Sequence, residues 1–140
     1  MRANLLIVFV VFFVLSGCQL GGSKTLAPFT TDGCSDFPEG TLGHRDLWHT
    51  CCTAHDLHYW AGGTYAQRMQ ADLELRACVQ AVGEPAVAQL MLAGVRVGGS
   101  PWWPTRFRWG YGWPYGSGYS ELTPAQLEQV RMQKEKQGLN

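Results

Sequence analysis

The decade Cys51-Cys52-Thr53-Ala54-His55-Asp56-Leu57-His58-Tyr59-Trp60 constrains this chain most. Adjacent cysteines are followed, after two residues, by an adjacent His-Asp pair. No Gly or Pro interrupts the run, so a helix is allowed. Residues four apart share a helix face. Cys51, His55 and Tyr59 therefore line one stripe, and Cys52 and Asp56 line the stripe beside it. An imidazole with a pKa of about 6.5 is a candidate general base. A carboxylate on the neighbouring stripe can hold a metal without competing for the same space.

The chain has 140 residues, one domain's worth, and a formal net charge of zero. Bulk electrostatics therefore give no reason to expect a nucleic-acid partner. One Arg near the N-terminus precedes an unbroken apolar run from Leu5 to Leu15. The run is shorter than the roughly 20 residues of a spanning helix and fits the apolar region of an export signal at 1–17. Its end, Leu15-Ser16-Gly17-Cys18, resembles a bacterial lipobox, with cleavage before Cys18 and acylation of its sulfur. A plain signal peptide with a chance cysteine is the alternative. Gln19, where inner-membrane lipoproteins carry Asp, points to the outer membrane of a bacterial envelope.

Five cysteines are present: Cys18, Cys34, Cys51, Cys52 and Cys78. An odd count in an exported chain asks for an explanation. With Cys18 as the lipid carrier, four remain for two disulfides in an oxidising compartment.

The stretch 18–28 is small and polar and reads as a lipidated tether. From Phe29 to Gly43, turn residues dominate and predict a loop, whose carbonyls suit hard cations. A first helix is expected from near His44–Asp46 to Trp60, and a second from about Tyr65 to Val82, with Thr64 as N-cap. The short link Ala61-Gly62-Gly63-Thr64 makes the two antiparallel. If Cys51 bridges Cys78 across that pair, Asp72 falls between His55 and Tyr59, where a base and its orienting carboxylate belong. Pro85 opens a third, apolar helix through about Val95. The stretch 98–120 interleaves Trp and Tyr with Gly, Pro and Arg. Thr123-Pro124-Ala125-Gln126 resembles a capping box that opens a polar final helix, to Gln137, within 121–140.

Cys-Cys-x-x-His-Asp, with Tyr four residues after the His and Ala-Asp-x(5)-Cys on the next helix, resembles the secreted phospholipase A2 family. The resemblance covers about a third of the chain, Asp32 to Val79. It implies a mainly α fold: an antiparallel helix pair cross-linked by disulfides, with a calcium-binding loop, inside a helical domain at 29–97. It implies His55 as base, Asp72 as its orienter and Tyr59 as a hydrogen-bond donor to Asp72. It implies Ca²⁺ on Asp56 and on the carbonyls of Gly33, Ser35 and Phe37. It also implies the disulfides Cys34–Cys52 and Cys51–Cys78. The family's Tyr-Gly-Cys-Tyr-Cys-Gly loop is replaced by Asp32-Gly33-Cys34-Ser35. The bridge common in animal members is missing at both ends, His58 and Ala71, as in a reduced, bacterial-type version.

The implied reaction is calcium-dependent hydrolysis of the sn-2 acyl ester of a glycerophospholipid, with a phospholipid membrane as both substrate and anchor. The altered loop motivates an alternative: a catalytically weak lipid-binding or structural envelope lipoprotein on the same scaffold. The aromatic stretch has two equal readings, rings at headgroup depth in a membrane or rings packed over the helices.

Overall fold

The computed structural model describes residues 24–139. The proposed signal segment, Cys18 with its expected lipid and the first part of the expected tether lie outside the described residues. Among these there are four helices and no strand: α1 His49–Ala61, α2 Tyr65–Ala81, α3 Pro85–Gly98 and α4 Pro124–Lys136.

Residues 44–48, expected as the first turn of α1, form turns instead. Their backbone is committed to the preceding loop: Trp48 N–H donates to Glu39 O at 3.1 Å, and Thr41 N–H to His44 O at 2.8 Å. The Trp48 indole donates to Pro38 O at 2.6 Å. A helix starting at His44 would have to give up these bonds. At the start of α2, Thr64 and Gln67 form a reciprocal capping box that satisfies two otherwise orphaned donors. Thr123 and Gln126 do the same for α4.

α1 and α2 are tied by the Cys51–Cys78 disulfide, by His55 to Asp72 and by Tyr59 to Arg68. Numbers rise on one helix as they fall on the other, so the pair is antiparallel. α3 packs against α2. It runs three residues past the expected end at Val95, through Arg96 and Val97 to Gly98. A core of Trp48, Cys51, Cys52, Leu75, Val79, Ala88 and Met91 joins all three helices.

The aromatic stretch divides between its two readings. Trp109 and Trp113 are buried, while Trp102 and Trp103 are 58 % and 53 % exposed. The buried part solves a specific problem. The last carbonyls of a helix have no partner inside it. At the end of α1, Tyr59 O accepts from Gly110 N–H at 2.6 Å and Trp60 O from Gly112 N–H at 3.2 Å. Ala61 O accepts from the Trp113 indole at 2.7 Å, and Gly63 O from the Trp109 indole at 2.9 Å. Gly112 is required by the close approach, because a Cβ there would lie 2.5 Å from the Trp60 ring. α4 docks through Val130, and Leu122 just before it, on the Leu26, Trp60 and Trp113 cluster. Gln129 adds bonds to the backbone of Leu26 and Lys24.

Candidate active site

The antiparallel pair brings His55, Tyr59 and Asp72 into one buried group. Asp72 is fully buried. Its Oδ1 accepts from the Tyr59 hydroxyl at 2.7 Å and lies 3.0 Å from His55 Nε2. His55 Nδ1 has no hydrogen-bond partner among the described residues. Burial holds the His55 imidazole below its ordinary pKa, opposed by the hydrogen bond and charge of Asp72. Burial and the Asp72 charge push the Tyr59 phenol up, so it remains a donor.

Two arginines complete the group. Arg96 Nε lies 2.9 Å from Asp72 Oδ2. The contact is off the N–H direction, so it is ionic and not a hydrogen bond. Arg68 Nε donates to the Tyr59 hydroxyl at 3.1 Å. Its other nitrogens reach the Tyr119 hydroxyl at 2.6 Å and the carbonyls of Val95 and Arg96 at 2.8 and 2.9 Å. Arg68 thereby binds the last turn of α3. Neither arginine belongs to the sequence motif. Arg68 could have been found, since it precedes Asp72 by one helical turn on the same face. Arg96 carries no comparable signal, because only the packing of α3 on α2 brings it near.

Asp56 is buried on the adjoining stripe of α1. Its Oδ2 accepts from the Thr31 hydroxyl at 2.6 Å, a partner the sequence reading did not identify. No basic side chain pairs with it among the described residues, and burial pushes its carboxyl up to about 7. The Cys34–Cys52 disulfide fastens the loop beside it. Gly33 and Ser35 both take left-handed backbone conformations, at φ 72° and 56°. A side chain at Gly33 would also collide with Glu39, whose carboxylate sits 2.7 Å from His49 Nδ1.

Within the loop, the carbonyls of Cys34 and Pro38 accept hydrogen bonds from Phe37 N–H and the Trp48 indole. Those of Gly33, Ser35 and Phe37 accept none among the described residues. One buried carboxylate without a counter-charge, sharing a cavity with residues whose carbonyls are uncommitted, suits a hard cation. Among the described residues no group of three His, Cys, Asp or Glu side chains could hold a metal. A cation here would therefore depend mainly on backbone oxygen.

His55, Asp56, Gly33, Ser35 and Phe37 all line one cavity of about 380 Å³, together with the apolar Leu90, Met91, Val95 and Phe107. A smaller polar cavity of about 230 Å³ meets it at Asp56 and is lined by Thr30, Thr31, Asp32, Arg106 and Tyr111. Chemically, the arrangement can take a proton from a water at His55 beside an apolar chamber. No described helix is long and apolar enough to cross a membrane. Comparison with known protein families, with curated proteins and with solved structures finds no significant match to this chain.

Proposed function

We propose that this chain is a calcium-dependent phospholipase of the A2 type. In this reading it hydrolyses the sn-2 acyl ester of glycerophospholipids and is anchored through Cys18 to a bacterial outer membrane. The observation that carries this reading is the single cavity. His55, which pairs with Asp72, and the Asp56 loop line it together with apolar side chains suited to an acyl chain.

The reaction follows from the side chains. Asp72 holds Nε2 of His55, which fixes the tautomer with Nδ1 bare. Nδ1 takes a proton from water, and the oxygen attacks the ester carbonyl. Asp72 stabilises the imidazolium that forms, and the proton passes on to the leaving alkoxide. Asp56 and the carbonyls of Gly33, Ser35 and Phe37 would hold Ca²⁺, which when bound polarises the ester carbonyl and stabilises the oxyanion. A serine nucleophile is not needed.

A second reading keeps the scaffold as a lipid-binding or structural envelope lipoprotein with little turnover. The Thr31 hydroxyl on Asp56 Oδ2 favours it, because it occupies one of the two carboxylate oxygens.

Fatty-acid release separates the two. The full chain, with its disulfides intact, is reconstituted with phosphatidylethanolamine–phosphatidylglycerol vesicles in calcium or EDTA. Release that needs calcium and disappears in His55→Gln supports the enzyme. A folded protein that binds the vesicles and releases nothing leaves the lipid-binding scaffold.

A further inference from the structure

Among the described residues, Arg96 is the one cation in ion-pair contact with Asp72 that comes from outside the α1–α2 pair. It stands in the last turn of α3, while Asp72 lies in the middle of α2. Its guanidinium is held in place by α2: one terminal nitrogen donates to Met69 O at 3.0 Å, and the other contacts Met69 Sδ. Its backbone is held by Arg68, which donates to Arg96 O. With both ends fixed, Nε rests 2.9 Å from Asp72 Oδ2.

The two carboxylate oxygens of Asp72 are therefore divided. Oδ1 serves Tyr59 and His55, and Oδ2 faces Arg96, with Arg68 Nε further off at 4.0 Å. A fully buried carboxylate needs a counter-charge, since removing one partner of a buried ion pair leaves the other uncompensated. A partial rotation of the carboxylate about its last bond would swing both oxygens out of place and move the acceptor away from His55. A cation anchored on Oδ2 opposes that rotation.

We propose that Arg96 is a positioning residue for the His55–Asp72 pair: it fixes the Asp72 carboxylate so that Oδ1 is presented to His55 and the Nδ1 edge stays bare. The proposal rests on the phospholipase reading for its kinetic consequence, and on geometry alone for its effect on the His55 ring. α3 also lines the cavity through Leu90, Met91 and Val95. The helix that contacts the acyl chain thus carries the group that orients the base. An interaction of this kind acts on the chemical step more than on binding.

The test uses the full chain in detergent micelles, ¹⁵N-labelled at histidine, as wild type, Arg96→Gln and Arg96→Lys. In the wild type, His55 is expected as the Nε2–H tautomer, with its proton shifted downfield by the carboxylate. In Arg96→Gln the two tautomers are expected to mix. The kcat is expected to fall on the order of tenfold to a hundredfold, the scale of a misplaced catalytic group, while KM changes by less than about threefold on the same argument. Arg96→Lys keeps the charge and should restore the tautomer and most of kcat. A single Nε2–H tautomer in folded Arg96→Gln overturns the proposal, and so does a loss of kcat matched by a rise in KM. If Arg96→Gln does not fold, Arg96→Lys decides: mixed tautomers in the folded Lys variant overturn the proposal, and a single Nε2–H tautomer with most of kcat kept supports it. The ring spectrum needs no turnover. If the wild type releases no fatty acid, the phospholipase reading fails while the spectrum still judges Arg96.

Discussion

The Tyr59 hydroxyl donates to Asp72 Oδ1 at 2.7 Å, the same oxygen that lies 3.0 Å from His55 Nε2. One oxygen thus serves a neutral donor and the candidate base together, and the phenol also accepts from Arg68 Nε. Tyr59→Phe removes a buried donor and orphans a buried guanidinium N–H. Unfolding in denaturant is expected to show a loss of about 1–3 kcal/mol. If the chain hydrolyses phospholipid, kcat should fall by no more than about tenfold on that scale, because Asp72 and His55 remain. A Tyr59→Phe protein as stable as the wild type would contradict this account of the bond.

The pH dependence of the base has a definite sign. Burial lowers the His55 pKa, so the neutral ring persists below the ordinary value of about 6.5. The acid limb of the rate profile, measured at saturating calcium, is expected below pH ~6.5. Stability moves the same way. The unfolded chain takes up this proton at higher pH than the folded one. The His55 contribution is thus full above about 6.5 and is lost as the pH falls through the folded value. An acid limb at or above pH ~7 would show that the titrating base is not this histidine.

Asp56 titrates with the opposite sign. Its carboxyl is pushed up to about 7 by burial, against an unfolded value of about 3.9. Its contribution to stability is present below about pH 4 and is lost as the pH rises towards 7. A cation that binds the ionised carboxylate reverses that loss by mass action. At pH 8, calcium should therefore raise the melting temperature of the wild type and leave Asp56→Asn unmoved. A shift of equal size in both proteins would place the ion elsewhere.

The two halves of the aromatic stretch should separate on mutation. Trp113→Ala opens a cavity beside Trp60 and Leu26 and unpairs the end of α1. A loss of about 3–5 kcal/mol is expected from a core aromatic truncation. Trp102 and Trp103 are more than half exposed, and the Trp103 indole is satisfied by Val97 O at 3.1 Å. The double variant Trp102→Ala/Trp103→Ala should keep the melting temperature within a few degrees and weaken cosedimentation with anionic vesicles. Unchanged vesicle binding would leave these rings without a role at a bilayer.

The disulfides differ in what they hold. Cys51–Cys78 ties α1 to α2, and Cys34–Cys52 ties the loop to α1. Replacing either pair by alanines is expected to cost about 2–5 kcal/mol. Only loss of the Cys34–Cys52 pair should weaken calcium binding by calorimetry out of proportion to its effect on melting.

Much of this architecture was legible because local chemistry fixed it. Thr64 and Thr123 cap the helices they precede, Gly62 and Gly83 end the helices before them, and the cysteine doublet sits where both pairs can close. The His55–Tyr59 stripe and its meeting with Asp72 followed from helical periodicity and an antiparallel register. The start of α1 was misplaced because Glu39 and Pro38, remote in sequence, claim the backbone and indole of Trp48. The aromatic stretch had no period to read, since its order comes from the carbonyls it caps.

The sequence by itself determined the helices, their antiparallel pairing and the identity of the candidate base, because capping, periodicity and short links act over a few residues. Only the tertiary structure decided which groups share the buried charge of Asp72, which hydroxyl meets Asp56 and which tryptophans are core. Those choices depend on side chains 25 and 51 residues apart in the chain, brought together by packing (Thr31 to Asp56, Tyr119 to Arg68). A carboxylate removed from water takes its partners from whatever the fold places beside it.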